Sequence, residues 1–263
     1  MSAVDAVVDG RLMAAGEATI PVTDEGLLRG DGAFEVARLY AGVPFALDEH
    51  YDRLERSAQA LRLEFDRPRL EAEIAALLEA AGPVDGALRF LVTRGGRRIG
   101  LVEAVPAVPP AVALATIEYA PIAVLRGVKS LSYAANMLIK RIAAELGAED
   151  ALLVTPDGEV LEAPTSAFFY VLEGELWTPP LEAGILASIT RRHLFEVSDA
   201  RERRTTRADL ERIEEAFIAS SLREVYPVAS IDGRSFDTVP GEITGQVAAR
   251  MREHVAAAVA VPA

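Results

Sequence analysis

Gly127-Val128-Lys129-Ser130-Leu131-Ser132-Tyr133-Ala134-Ala135-Asn136 places a lysine behind an apolar approach (Val124, Leu125, Val128) and just ahead of a segment with helical periodicity. An amine in that setting is partly desolvated, which favours its neutral, nucleophilic form. Lysine is otherwise scarce. Of 27 basic residues only Lys129 and Lys140 are lysine, so the other 25 are arginine. Drift from lysine to arginine removes lysines that supply only charge. One that survives is a candidate amine, because arginine cannot form an imine. Taken locally, a surface lysine at a helix start explains Lys129 equally well. Lys140 sits mid-helix near the face opposite Ile142 and reads as a solvated charge.

Downstream of this stretch, Ser132–Leu146 is amphipathic, with Ala135, Leu138, Ile139, Ile142 and Leu146 expected inward and Gly147 as the stop. Ala151–Thr155, the turn Asp157-Gly158, Glu159–Glu162 and Ala167–Val171 suggest a meander. Ser188–Val197 is expected as a helix, Ala216–Ser220 and Val225–Ile231 as strands, and Gly241–Ala258 as a closing helix; the Ala/Val-rich tail Val255–Ala263 is expected to fray.

Upstream, Val4–Val8 and Arg11–Met13 flank Asp9-Gly10 as a hairpin, and Ala33–Leu39 and Val43–Leu47 flank Tyr40-Ala41-Gly42 as another. Asp48 is placed to cap a helix running to about Leu63, with Leu54, Ala58 and Leu61 on one face. A second helix follows Pro68 through Leu70–Ala81 to Gly82, and Ala87–Thr93 and Ala111–Tyr119 read as strands around the Val/Ala/Pro-rich stretch from Val102 to Pro110. Ala120–Gly127 is the expected connection between two lobes, giving an α+β chain with a domain over 1–119, a linker over 120–127 and a second domain over 128–263.

Composition narrows the function. A chain of 263 residues with 51% hydrophobic and 25% charged residues is ordinary for a globular protein. No apolar run approaches the roughly 20 residues of a membrane span. The first residues lack the basic-then-apolar order of a signal peptide. Cysteine is absent, so disulfides and thiolate metal sites are excluded, and cytoplasm is the expected location. A net charge of −13 argues against nucleic-acid binding. The three histidines (His50, His193, His254) are far apart in sequence, which argues against a histidine-rich metal site.

The stretch around Lys129, then Gly147-Ala148-Glu149-Asp150-Ala151-Leu152-Leu153, then Gly158-Glu159-Val160-Leu161-Glu162, resembles the signature of the class-IV aminotransferases. These are the fold-type-IV pyridoxal phosphate enzymes, among them D-amino acid and branched-chain aminotransferases, (R)-amine transaminases and 4-amino-4-deoxychorismate lyases. The likeness runs from Val8 to about Ile231, with several motifs in the family's order. It implies a smaller N-terminal α/β domain, a larger barrel-like C-terminal α/β domain, pyridoxal 5′-phosphate as cofactor, and a homodimer. Lys129 resembles the Schiff-base lysine, which is also the base that shuttles the substrate proton. Glu162 aligns with the carboxylate that keeps the pyridine nitrogen protonated, so that the ring accepts electrons.

Arg53, in Glu49-His50-Tyr51-Asp52-Arg53, matches the phosphate-binding arginine, and His50 shares its helix face. Ile189 and Thr190 fall where family members bind phosphate through backbone N–H groups and a hydroxyl, and a helix capped by Ser188 suits an anion independently of any likeness. Ser221 aligns with a second hydroxyl ligand, for which Ser220 is an alternative. Gly30-Asp31-Gly32 is no dinucleotide loop, since no third glycine follows in register. One departure stands out. The family carries asparagine five residues after the glutamate; here Ala167 fills that place, leaving Thr165 or Ser166 to supply the hydrogen bond, or none.

Substrate choice rests on arginines. Arg29 and Arg89 occupy positions that in some D-amino acid aminotransferases clamp the α-carboxylate, a task suited to a bidentate guanidinium. Phe34 falls where relatives place an aromatic wall. Arg94, Arg97 and Arg98 form a basic loop that is either solvated or a second anion site. The expectation is a transaminase of small D-amino acids, with side activity on (R)-amines and a 2-oxo acid such as 2-oxoglutarate or pyruvate as acceptor. The alternatives are 4-amino-4-deoxychorismate lyase, suggested by the chain's length and Arg29-Gly30-Asp31-Gly32-Ala33-Phe34-Glu35, and a branched-chain L-aminotransferase.

Overall fold

Asp9 and Gly10 both take positive φ, 49° and 84°, the I′-type turn whose twist suits two antiparallel strands. They join β1 (Ala6–Val8) to β2 (Arg11–Met13). Ala41 and Gly42, at 47° and 86°, repeat the device between β3 (Gly32–Tyr40) and β4 (Val43–Pro44). The computed structural model describes residues 4–260, which divide into two compact units: 4–106 with 128–133 and 258–260, and 107–127 with 134–257.

In the first unit the short helix α1 (Glu25–Arg29) precedes β3; α2 (Leu47–Ala60) and α3 (Arg67–Ala81) precede β5 (Gly86–Thr93) and β6 (Arg98–Glu103). The strands form one sheet of order β2-β1-β6-β5-β3-β4, with every neighbouring pair antiparallel. Leu54 and Ala58 of α2 and Leu70, Ile74 and Leu77 of α3 bury against Ala33, Ala37, Leu39, Leu88, Phe90 and Val92. Each large side chain so buried contributes roughly 1.5–3 kcal/mol of hydrophobic transfer free energy. Strand residues alternate faces, so Ala33, Glu35, Ala37 and Leu39 look toward these helices, and Phe34, Val36 and Arg38 look away. The stretch 128–133 runs along the start of β3: Phe34 N donates to Lys129 O at 3.2 Å and Leu131 N to Gly32 O at 2.8 Å.

The second unit holds β7 (Val112–Glu118), α4 (Ala134–Glu145), β8 (Asp150–Val154), β9 (Ala167–Leu172), β10 (Glu175–Thr178), α5 (Ile189–Val197), β11 (Arg201–Glu202), β12 (Glu215–Ser220), β13 (Glu224–Ile231), β14 (Arg234–Ser235) and all but the last two residues of α6 (Glu242–Val259). Its sheet runs β11-β10-β9-β12-β13-β7-β8, with β14 beside β13. Its core gathers Leu114, Leu152, Phe168, Tyr170, Ile218 and Val228. No described helix is long and apolar enough to cross a membrane.

Several expectations change. The strand from Val43 stops at Pro44, and Leu47 already opens α2. Asp48 is not the cap of α2: Ala46 is, at φ 55°, with no side-chain hydrogen bond, and Asp48 sits in the first turn, where its charge suits the helix N-terminus. Arg98–Glu103, unassigned in the sequence, is β6. Only the first turn of the meander forms: Asp157-Gly158 returns Glu159–Glu162 antiparallel beside β8, Leu153 N donating to Glu162 O at 2.9 Å and Leu161 N to Leu153 O at 2.8 Å, whereas β9 pairs with β10 and β12 instead, and β8 also pairs in parallel with β7. On α4, Ile139 and Ala143 are buried, whereas Ala135 and Leu138, and Leu146 just past its end, are exposed. The tail does not fray from Val255, which is 2% exposed within α6; residues 261–263 lie outside the described residues.

Candidate active site

On α2, His50 and Arg53 lie three residues apart and therefore share a face. Both are buried, and both meet Glu35 of β3, which has no exposed surface. Arg53 Nε donates to Glu35 Oε1 at 2.7 Å and Arg53 Nη2 to Oε2 at 2.6 Å, a two-point grip that fixes the guanidinium plane. His50 Nδ1 is 2.7 Å from Glu35 Oε2, and its Nε2 is buried without a hydrogen-bond partner. Burial alone would raise the Glu35 pKa. The Arg53 charge and the hydrogen bonds from Arg53 and His50 outweigh it and bring the carboxyl down to about 2. His50 is pushed below the usual histidine range, first by burial and then by the charges of Arg53 and Lys129, against the pull of Glu35. Glu35 is absent from the sequence-derived site. The only available signal was an acidic residue on the core side of a strand, which demands a buried partner.

On the opposite face of β3, Phe34 receives two cations. Lys129 Nζ lies 4.4 Å from the Phe34 ring centroid and 5.6 Å from that of Tyr133, while Arg89 Cζ lies 5.9 Å from the Phe34 centroid. Phe34 and Tyr133 meet edge to face at 5.1 Å. The backbone holds Lys129 in place: its N donates to Ser57 Oγ of α2 at 3.2 Å, and its carbonyl accepts from Phe34. Arg89 Nε donates to Glu103 Oε2 at 2.9 Å. The structure thus brings Lys129, Phe34 and Arg89 together on one surface.

The other arginines singled out in the sequence of this unit are engaged elsewhere. Arg29 ends α1, largely exposed, in an ion pair with Glu25. Arg94 bonds Asp31 at 2.5 Å and the carbonyls of Leu61 and Arg62; Arg97 pairs with Asp9, and Arg98 with Glu73. The basic loop is therefore met charge for charge by acids distant in sequence.

In the second unit, Glu162 Oε1 accepts from Leu186 N at 2.9 Å. Asn136 of α4 donates to Pro164 O at 2.6 Å, which steadies the turn after Glu162. At the place of the missing asparagine, Ala167 begins β9; Ser166 is buried and Thr165 exposed. Ser188 caps α5, its side chain accepting from Arg191 N at 3.3 Å, as its sequence position implies. The N–H groups of Ile189 and Thr190 stand at the first two positions of the helix, where no intrahelical partner exists; both residues are buried. Ser221 lies in the turn between β12 and β13. Lys140 departs from its reading as a solvated charge: its Nζ is 2.5 Å from Asp150 Oδ2, a carboxylate only 2% exposed.

Residues 32–231 match the family model "Amino-transferase class IV". A D-alanine aminotransferase of Bacillus licheniformis is 31% identical over 94% of this chain and 95% of its own length. An aminodeoxychorismate lyase of Bacillus subtilis is 30% identical over 90% of each chain. Among solved structures, the PLP-bound form of a hypothetical aminotransferase from Mycobacterium tuberculosis is similar with a TM-score of 0.87 and 28% identity, covering 96% of this chain and 99% of that one.

Proposed function

This chain belongs to the class-IV aminotransferases, and on that premise we propose that it is a cytoplasmic, homodimeric, pyridoxal phosphate-dependent transaminase that moves the amino group of small D-amino acids to a 2-oxo acid. One observation carries the substrate class. An amine and a guanidinium, Lys129 and Arg89, converge on the single ring of Phe34. A substrate with its amino group at Lys129 has its carboxylate within the province of Arg89, so the site suits an amino acid better than a simple amine.

Each unit carries donors that suit the cofactor. Lys129 offers the amine that holds it covalently. Arg53, braced by Glu35, and the first-turn amides of α5 with the Thr190 hydroxyl suit a phosphate, with Ser221 as a further hydroxyl. The Glu162 carboxylate suits a protonated ring nitrogen. When bound, pyridoxal phosphate withdraws electrons from the substrate's α-carbon. Lys129 Nζ would be the base that accepts the substrate's α-proton and holds it for return. Glu162, oriented by the Leu186 amide, would hold a protonated ring nitrogen. Arg89 would fix the substrate carboxylate, and Phe34 would wall the side-chain space.

The test mixes holoenzyme with the D and L forms of alanine, glutamate and leucine in a stopped-flow spectrometer. Only the D forms should change the cofactor's visible absorbance; a change with L forms alone overturns the stereochemical assignment. Release of pyruvate and 4-aminobenzoate from aminodeoxychorismate without any amino acceptor would establish the lyase reading instead. Lys129→Ala should lack the visible band and turnover, and full activity in that variant would overturn the site.

A further inference from the structure

His193 on α5 and His254 on α6 are 61 residues apart in sequence, yet His193 Nδ1 lies 2.9 Å from His254 Nε2. Glu196, one turn beyond His193 on the same helix, turns its Oε2 toward both nitrogens, at 3.5 Å from His193 Nδ1 and 3.9 Å from His254 Nε2. The sequence separation that argued against a histidine metal site is thus closed by the fold. The third atom discriminates between two readings. Two imidazoles at 2.9 Å would satisfy each other as a plain hydrogen bond. At 3.5 and 3.9 Å the carboxylate is past good hydrogen-bond length to either ring, yet it faces both. A tetrahedral ion with bonds of about 2.0–2.1 Å places its ligand atoms about 3.3–3.4 Å apart. The three observed separations straddle that value.

We propose that His193, Glu196 and His254 bind one zinc-class divalent cation, with water completing the tetrahedron. Two neutral imidazoles and a carboxylate are the ligands that such an ion takes. The site is reachable: the His193 side chain is 9% exposed, but those of His254 and Glu196 are 29% and 52% exposed. The ion tethers α6 to α5 one turn beyond Thr190 and takes no part in the reaction. Its role is to hold still the helix whose first turn is proposed above to carry phosphate, although the metal site itself does not depend on that reading.

The test uses tag-free holoenzyme, dialysed against a chelator and then titrated with zinc sulfate by calorimetry and with cobalt(II) by visible absorbance. One ion per chain is expected, with tetrahedral-type cobalt bands and a raised melting temperature, since an ion that binds only the folded state stabilises it. His254→Gln and Glu196→Gln, both partly exposed and expected to fold, should each weaken zinc binding at least about tenfold, with cofactor content and absorbance unchanged. The remaining histidine, His50, is fully buried in the other unit, so a competing histidine site does not confuse the stoichiometry. Absence of stoichiometric binding, octahedral-type cobalt spectra, or affinity unchanged in both variants would show an adventitious ion only and overturn the proposal.

Discussion

Glu35 shows what a single buried charge can govern. Removing its charge while keeping its shape, as in Glu35→Gln, leaves Arg53 buried without its anion, a loss of about 3–5 kcal/mol for broken buried pairs. The sign of the pH dependence follows from the direction of the shift. The folded carboxyl is depressed to about 2 from an ordinary 4.5, so its stabilisation is fully present above about pH 4.5 and is lost as pH falls toward 2. Urea denaturation of wild type and Glu35→Gln should therefore show a wide gap at pH 7 that narrows below pH 4.5; a gap independent of pH would rule out this role. The His50–Arg53 spacing was legible in the sequence because three residues on a helix is a fixed geometry. Glu35 was not legible, because its partners lie 15 and 18 residues away and only the fold of β3 onto α2 brings them together. Lys140 was misread for the same reason: nothing local announces that Asp150 is a buried carboxylate in need of a cation.

Elements were readable where their ends carry chemistry. Asp66 and Ser188 cap α3 and α5 through their own side chains, and the Asp9-Gly10 turn adopts the positive φ its residue types favour, whereas Ala41 takes it against its own preference with Gly42 beside it. α6 is started differently. Glu215, on β12, reaches over to accept from Ile243 N at 3.1 Å and Thr244 N at 2.8 Å, and Gly241 leaves the space its carboxyl fills. A cap supplied from another element has no local signature. Glu215→Ala should cost about 1–2 kcal/mol, with the loss seen as earlier amide exchange in the first turn of α6; unchanged protection there would refute the cap. β6 escaped because its Arg98 and Gly100 break the alternation. Gly100 is required, since a Cβ there would fall 2.5 Å from Ile74 Cδ1 and 2.8 Å from Val7 Cγ1. On α4 the helical period was visible but its inward face was not: Leu138 and Leu146 are apolar and nevertheless exposed.

Those exposed leucines matter for the whole molecule. Val22, Leu27 and Leu28 in the first unit, with Val124, Leu138 and Leu146 in the second, leave large apolar side chains in water, the kind of surface that a second subunit covers. Light scattering should give twice the 28.2 kDa chain mass at micromolar concentration, and Leu138→Glu should shift it toward the monomer; a wild type that stays at one chain mass would contradict the homodimer. The α+β class and the two-lobe organisation were within reach of the sequence, because strand, helix and turn signals are local. The convergence of Lys129, Phe34 and Arg89 was not, since it depends on 128–133 lying along β3. That strand also separates two kinds of change. Phe34, Val36 and Arg38 look one way, and Ala33, Glu35 and Ala37 the other. On the proposed function, substrate range is open to redesign at even-numbered positions while the odd-numbered ones hold Arg53, the proposed phosphate arginine, through Glu35. A single inserted residue would exchange the two sets, so this strand tolerates substitution at its even-numbered positions but not lengthening.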